Sequence, residues 1–90
     1  MKHITVLGST GSIGTQALDV IGRLGYGVTA LTAQGNAKLL EAQARKYRPK
    51  AVALADEQAA KSLRTALKDT GIAVLAGPEG VAECAALEAG

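Results

Sequence analysis

The stretch that decides the fold is Ile4-Thr-Val-Leu-Gly-Ser-Thr-Gly-Ser-Ile-Gly14, where a short apolar run gives way to seven residues holding three glycines and three hydroxyl side chains. Ile4 to Leu7 is long enough for a buried strand and too short for a helix. Behind the glycine-rich turn, Ile13, Ala17, Val20, Ile21 and Leu24 recur at the spacing of one helical stripe, and Gly25 follows as a stop. A strand feeding a helix through such a turn is the first half of a βαβ unit.

The pattern repeats downstream. Val28 to Ala33, Ala51 to Ala55 and Ile72 to Ala76 read as three further strands, nearly continuous in apolarity and so buried on both faces. The second helix opens with Asn36 as N-cap, carries Leu40, Ala44 and Tyr47 on one face, and ends before Pro49. The third opens at Asp56, presents Ala60, Leu63 and Leu67, and stops at Gly71. The fourth begins at Pro78 and carries Val81, Cys84 and Leu87 or Glu88. This alternation predicts an α/β fold: a Rossmann-like, doubly wound parallel sheet of about four strands, with right-handed crossovers and helices on its faces. A complete dinucleotide fold has about six strands. Residues 1–90 are therefore expected to form a single partial domain, the N-terminal piece of a longer protein truncated before its second half is complete.

Composition supports this reading. The chain is 48% hydrophobic and 20% charged, the balance of a folded globular domain. With two Tyr and no Phe or Trp, the core must be built from Ala, Val, Leu and Ile, which suits parallel strands under close-packed helices. A net charge of +2 argues for neither nucleic acid nor a membrane surface. The lone Cys84 cannot form an intramolecular disulfide and reads as a small buried helix residue. No apolar run approaches the roughly 20 residues of a membrane span, and Met1-Lys-His leads into a strand, so the expected location is the cytoplasm.

The glycine turn sits where a doubly wound fold meets its ligand, between the carboxyl end of the first strand and the N-terminus of the first helix. Gly8 can supply the tight turn, Gly11 close backbone approach to a pyrophosphate, and Gly14 close packing of helix on strand. Free N–H groups at Ser12 and Ile13 would then face phosphate oxygens, with the Thr10 and Ser12 hydroxyls as further donors. The spacing G-x-x-G-x-x-G differs from the common NAD fingerprint, and without Gly-Lys-Ser/Thr it is no triphosphate P-loop. At the end of the second strand, Thr32-Ala-Gln-Gly-Asn36 offers no carboxylate to repel a 2′-phosphate, which favours NADP over NAD; Asn36 taken alone serves equally well as a helix cap.

Other candidates carry less. Arg45-Lys-Tyr-Arg-Pro-Lys50 reads as a solvated helix end, His3 has no second ligand or nucleophile nearby, and Asp56 with Glu57 reads as capping. No paired carboxylates, triad or metal cluster is legible, so no catalytic residue is expected within these residues.

Ile4 to Gly14, followed by Leu18-Asp-Val20, closely resembles the start of the 1-deoxy-D-xylulose 5-phosphate reductoisomerase family. Val28 to Ala33 with Asn36, then Leu39-Leu40, Gln43 and Pro49, resembles that family's second strand and helix, and Val74-Leu-Ala-Gly77 its fourth strand. The resemblance implies an NADPH-dependent oxidoreductase of isoprenoid biosynthesis that uses Mg²⁺ or Mn²⁺ to convert 1-deoxy-D-xylulose 5-phosphate to 2-C-methyl-D-erythritol 4-phosphate, in enzymes that are homodimeric and several times longer. It implies that Thr10, Gly11, Ser12 and Ile13 bind the cofactor phosphates, that Asn36 with its neighbours Gln34 and Gly35 holds the 2′-phosphate end, and that the metal ligands and the residues for the phosphorylated sugar lie elsewhere. These residues alone are then expected not to turn over substrate. The family commonly reads Ala-Gly-Lys/Arg-Asn where this chain has Ala33-Gln-Gly-Asn36, so adenosine binding is expected to persist with weakened NADP preference. Two other readings remain: the cofactor domain of another NADP-linked dehydrogenase, such as a semialdehyde dehydrogenase or an extended short-chain reductase, and a stand-alone nucleotide-binding or interaction module.

Overall fold

Four β-strands and four α-helices alternate through the chain: β1 (His3–Leu7), α1 (Ser12–Arg23), β2 (Gly27–Ala33), α2 (Ala37–Tyr47), β3 (Ala51–Leu54), α3 (Glu57–Ala66), β4 (Ala73–Ala76) and α4 (Gly77–Ala89). The computed structural model describes residues 2–89, with side chains to residue 87. All strand pairs are parallel and the sheet order is β1-β2-β3-β4, so the chain steps in one direction across the sheet. Right-handed crossovers made in one direction place their helices on one face. The larger core confirms this, with Leu18 and Ile21 of α1, Leu40 and Ala44 of α2, and Ala60 and Leu63 of α3 joining Val6, Leu31, Val52 and Leu54 in one cluster.

The opposite face is built differently. Ala30, Ala51 and Ala53 line it, and α4 lies over β3, β2 and β1 with Cys84 fully buried among these small side chains. Large residues on one face and alanines on the other give the sheet two coverings of unequal thickness. Alternation along β3 makes the division, Val52 and Leu54 pointing one way and Ala51 and Ala53 the other. In β2 a bulge intervenes, with Ile4 opposite Val28 but Thr5 opposite Ala30, and the extra residue lets Val28 and Leu31 share a face.

The expected elements are present, with shifts at their ends. The last strand starts at Ala73 and α4 already at Gly77, one residue before Pro78. The third helix closes at Ala66, well before Gly71, because the Thr70 hydroxyl donates to the Leu67 carbonyl at 2.7 Å and turns the chain out of the helix. Leu67 is nevertheless buried, as are Ala60 and Leu63. On α4, Val81 packs partly against the alanine face and Leu87 is exposed; Glu88 lies outside the residues whose side chains are described.

The apolar stripe expected on α1 needs correction. The buried residues are Gly14, Leu18 and Ile21, while Ile13, Val20 and Leu24 are 83%, 52% and 58% exposed. With about 100° per residue, α1 has three flanks. One faces the sheet through Gly14, Leu18 and Ile21. A second faces α2, where Thr15 and Leu18 share a groove with Leu39, Gln43 and Tyr47, and where Gly22 meets the Tyr47 ring. The third carries Ile13, Ala17, Val20 and Leu24 and points away from α2, on the side of the β1 edge that has no neighbouring strand. The periodicity was that of an apolar flank; the sheet simply takes its neighbour.

Candidate nucleotide-binding site

Parallel pairing of β1 and β2 sets Leu7 opposite Thr32, which brings the two loops that follow, residues 8–11 and 34–36, to the same end of the sheet. Gly8 has φ of +71°, a left-handed turn that a side chain would strain, and its carbonyl accepts from Gly11 N–H at 3.2 Å. Gly14 packs so tightly that a Cβ there would collide with the Gly8 carbonyl oxygen and lie 2.8 Å from Ser9 Cα. These are the turn and packing roles read from the sequence. Gly11 differs: a Cβ would meet only the Gly8 carbonyl oxygen at an ordinary 3.6 Å, so nothing within the chain demands glycine at that position.

Ser12 opens α1 with Gly11 as N-cap, and no side chain caps the helix. The first bond of the helical ladder is Thr15 N–H to Gly11 carbonyl at 2.9 Å, which leaves the N–H groups of Ser12, Ile13 and Gly14 outside the ladder. There is no acidic residue in the first turn of α1. The positive end of its dipole is therefore unneutralised, the condition for holding an anion. Thr10 is half-buried, and Ser12 and Ile13 are exposed at the mouth.

The second loop has the same character. Asn36 caps α2, its side-chain oxygen accepting from Leu39 N–H at 3.1 Å, and α2 also lacks an acid in its first turn. Gln34, Gly35 and Asn36 are all exposed. By contrast α3 is capped by Asp56 and starts with Glu57, and α4 has Glu79 in its first turn. A depression of about 240 Å³ at that farther end is lined by Glu57, Gly77, Pro78 and Glu79, and its two carboxylates repel phosphate. Only the β1–β2 end, among the described residues, combines adjacent loops with two unneutralised helix N-termini.

Ser9, Gln43 and Thr32 take on a role only in three dimensions, and Asp56 takes on a second one. Ser9, fully buried, and Gln43, on the buried stripe of α2, hydrogen-bond to each other and tie the first loop to α2. Thr32 accepts from Gly8 N–H through its hydroxyl at 3.2 Å and from Ser9 N–H through its carbonyl at 2.8 Å. Asp56 fulfils the expected cap, accepting from Gln58 and Ala59 N–H, but also donates its own N–H to the Gln34 carbonyl at 2.8 Å. Its second carboxylate oxygen lies 3.8 Å from where a Gly35 Cβ would stand. A negative charge thus borders the second loop, contrary to what the window Thr32 to Asn36 suggested. The signal was out of reach in sequence because a neighbouring strand delivers it.

Among the described residues no three His, Cys, Asp or Glu side chains gather as a metal site, and no helix is long and apolar enough to cross a membrane.

The fold and this loop arrangement define a Rossmann-like α/β domain. Solved structures agree: 1-deoxy-D-xylulose 5-phosphate reductoisomerase from Zymomonas mobilis in complex with NADPH superimposes with a TM-score of 0.88 at 38% identity, over 93% of this chain and 23% of that one. A reductoisomerase in complex with NADPH, fosmidomycin and magnesium gives 0.89 at 29% identity, over 99% of this chain and 22% of that one. The profile of the 1-deoxy-D-xylulose 5-phosphate reductoisomerase family matches residues 4–89, and the chain belongs to that family. The reductoisomerase of Agathobacter rectalis is 52% identical over 89 residues, and that of Moorella thermoacetica 50% over 91. These alignments cover 98% and 97% of this chain, which spans 23% of the length of each relative.

Proposed function

We propose that this chain is the NADPH-binding part of a reductoisomerase that converts 1-deoxy-D-xylulose 5-phosphate to 2-C-methyl-D-erythritol 4-phosphate. The observation that carries the reading is the pairing of two helix N-termini, each without an acid in its first turn, at one end of the sheet. Gly8, Thr10, Gly11, Ser12, Ile13 and Gly14 would hold the pyrophosphate, the N–H groups of Ser12 to Gly14 donating to its oxygens and Gly11 letting the backbone close on it. Gln34, Gly35 and Asn36 would receive the adenosine end. Ile13, exposed at the mouth, offers an apolar surface to whatever lies beyond the phosphates.

When bound, NADPH supplies a hydride to the reaction. The described residues bind and orient it but gather no metal ligands. The Mg²⁺ or Mn²⁺ site, the sugar-phosphate contacts and the homodimer interface of such an enzyme would lie among other residues, this chain spanning 23% of the length of its relatives. The apolar third flank of α1 and the open β1 edge support this division, since both are surfaces that a further strand and helix would cover. The enzyme's action would be cytoplasmic, and the small net charge favours neither nucleic acid nor a membrane surface as partner.

Titrating NADPH into isotope-labelled protein tests the reading. The amide signals of Thr10 to Gly14 and of Asn36 are expected to shift together, and silence of both loops at millimolar ligand would sink it.

A further inference from the structure

Gln43 occupies a position where its neighbours on the stripe, Leu40 and Ala44, are apolar and fully buried. A buried amide is costly unless its hydrogen bonds are met, and here they are met by one residue 34 positions away in sequence. Ser9 Oγ donates to Gln43 Oε1 at 2.7 Å, and Gln43 Nε2 donates to the Ser9 carbonyl at 2.8 Å. Ser9 N–H donates to the Thr32 carbonyl at 2.8 Å, so every polar group of Ser9 has a partner on another element. An amide is suited to this because one end of it both accepts and donates. Leucine could fill the position and complete the apolar stripe, but it would hold nothing.

We infer that Gln43 is a positioning residue for the cofactor's pyrophosphate. It locks Ser9, and thereby fixes the turn from which Ser12, Ile13 and Gly14 present their N–H groups. Because α2 also carries the second loop at its N-terminus, the same bond pair sets the spacing between the two halves of the nucleotide site. This role rests on the proposed NADPH reading, and the test separates the two.

NADP⁺, stable across the pH range needed, is titrated into wild type, Gln43→Leu and Gln43→Glu, and affinity is read from the amide signals of the folded species, so that lost stability does not masquerade as lost binding. Gln43→Leu is expected to weaken NADP⁺ by about five- to tenfold. A neutral carboxyl at position 43 can still donate to the Ser9 carbonyl, whereas a carboxylate cannot. Burial at this position lifts such a carboxyl above its ordinary pKa of about 4.3, so Gln43→Glu should bind more weakly than wild type at pH 8, where a carboxylate faces the Ser9 carbonyl, and recover toward wild type as the pH falls to about 4.5, each compared with wild type at the same pH to cancel titration of the cofactor. If Gln43→Leu does not fold, Ser9→Ala replaces it and is read the same way. Wild-type affinity in the leucine or alanine variant, or a Gln43→Glu to wild-type ratio that ignores pH, overturns the positioning role. Failure of wild type to bind NADP⁺ would overturn the cofactor reading itself.

Discussion

Gly11 and Gly14 make opposite demands, and substituting each with alanine separates fold from function. At Gly14 the new Cβ would collide with the Gly8 carbonyl oxygen and sit 2.8 Å from Ser9 Cα and 2.9 Å from Gly8 C, all backbone atoms that cannot swing aside. Displacing packed backbone costs about 1–3 kcal/mol, here toward the upper end, against roughly 1 kcal/mol gained from alanine's helix propensity. The net expectation is destabilisation by about 2 kcal/mol, or a fall of about 10 °C in thermal midpoint for a domain of this size. At Gly11 the only neighbour is the Gly8 carbonyl oxygen at 3.6 Å and φ is −79°, which alanine adopts freely. The poorer N-cap costs a few tenths of a kcal/mol up to about 1, offset by roughly 0.4–1 from the stiffer unfolded chain. Gly11→Ala should melt within about 4 °C of wild type. Its methyl group, however, projects where a pyrophosphate would lie, and NADP⁺ affinity should fall at least about tenfold. Calorimetric melting and NADP⁺ titration of both variants decide the matter. A Gly14→Ala protein as stable as wild type would refute the packing argument, and a stable Gly11→Ala protein with undiminished affinity would refute the cradle.

Asp56→Asn keeps a competent N-cap while removing the charge beside Gly35, so NADP⁺ should gain on NAD⁺ by roughly two- to fivefold at low salt, and less at high salt; an unchanged ratio would place the carboxylate too far away to matter. Burial, and secondarily Glu83, pushes the Cys84 thiol up from its ordinary range. It should react with a thiol reagent at pH 8 far more slowly than in urea, and stability should decline as pH rises above the unfolded thiol's pKa of about 8.5, because only the unfolded chain then ionises. The Arg45 guanidinium, which bonds Asp69 at 2.9 Å, holds the Asp69 carboxyl below its usual range. Whatever the pair adds is present above the unfolded carboxylate pKa of about 3.9 and lost as pH falls through the lower folded value. Since both groups are exposed the effect is small, and the difference in melting between wild type and Asp69→Asn should vanish toward pH 2 and in high salt.

The strands were legible because each is a short apolar run closed by a turn, and the caps Asn36 and Asp56 because their chemistry is local. Local chemistry also exposed the loop: Gly8 and Gly14 do what their spacing promised. What could not be read was decided by neighbours distant in sequence. The α1 stripe Ile13, Ala17, Val20, Ile21 and Leu24 follows from helical spacing, yet of these only Ile21 is buried, and Gly14 and Leu18 join it against the sheet, since only a glycine lets the helix approach Ser9 so closely. Gln43 enters the sequence reading only through the family resemblance, and its role is set by Ser9, 34 positions earlier, which supplies both its partners. Asp56 was a cap and nothing more until β3, lying beside β2, delivered it to Gly35.

The topology bears on how much of the proposed nucleotide site these loops could form. In open α/β sheets a ligand lies in the crevice where strand order reverses. Here β1, β2, β3 and β4 follow one another without reversal, so the described strands contain no such crevice of their own. Yet α4 does not continue outward: it recrosses the alanine face over β3, β2 and β1. On the far side of β1 the strand edge is open among the described residues, and Val20 and Leu24 stand exposed. The glycine loop sits directly over that edge. On the proposed reading these loops would form one wall of such a crevice, and the exposed apolar flank of α1 beside the β1 edge is the surface on which a second wall would pack.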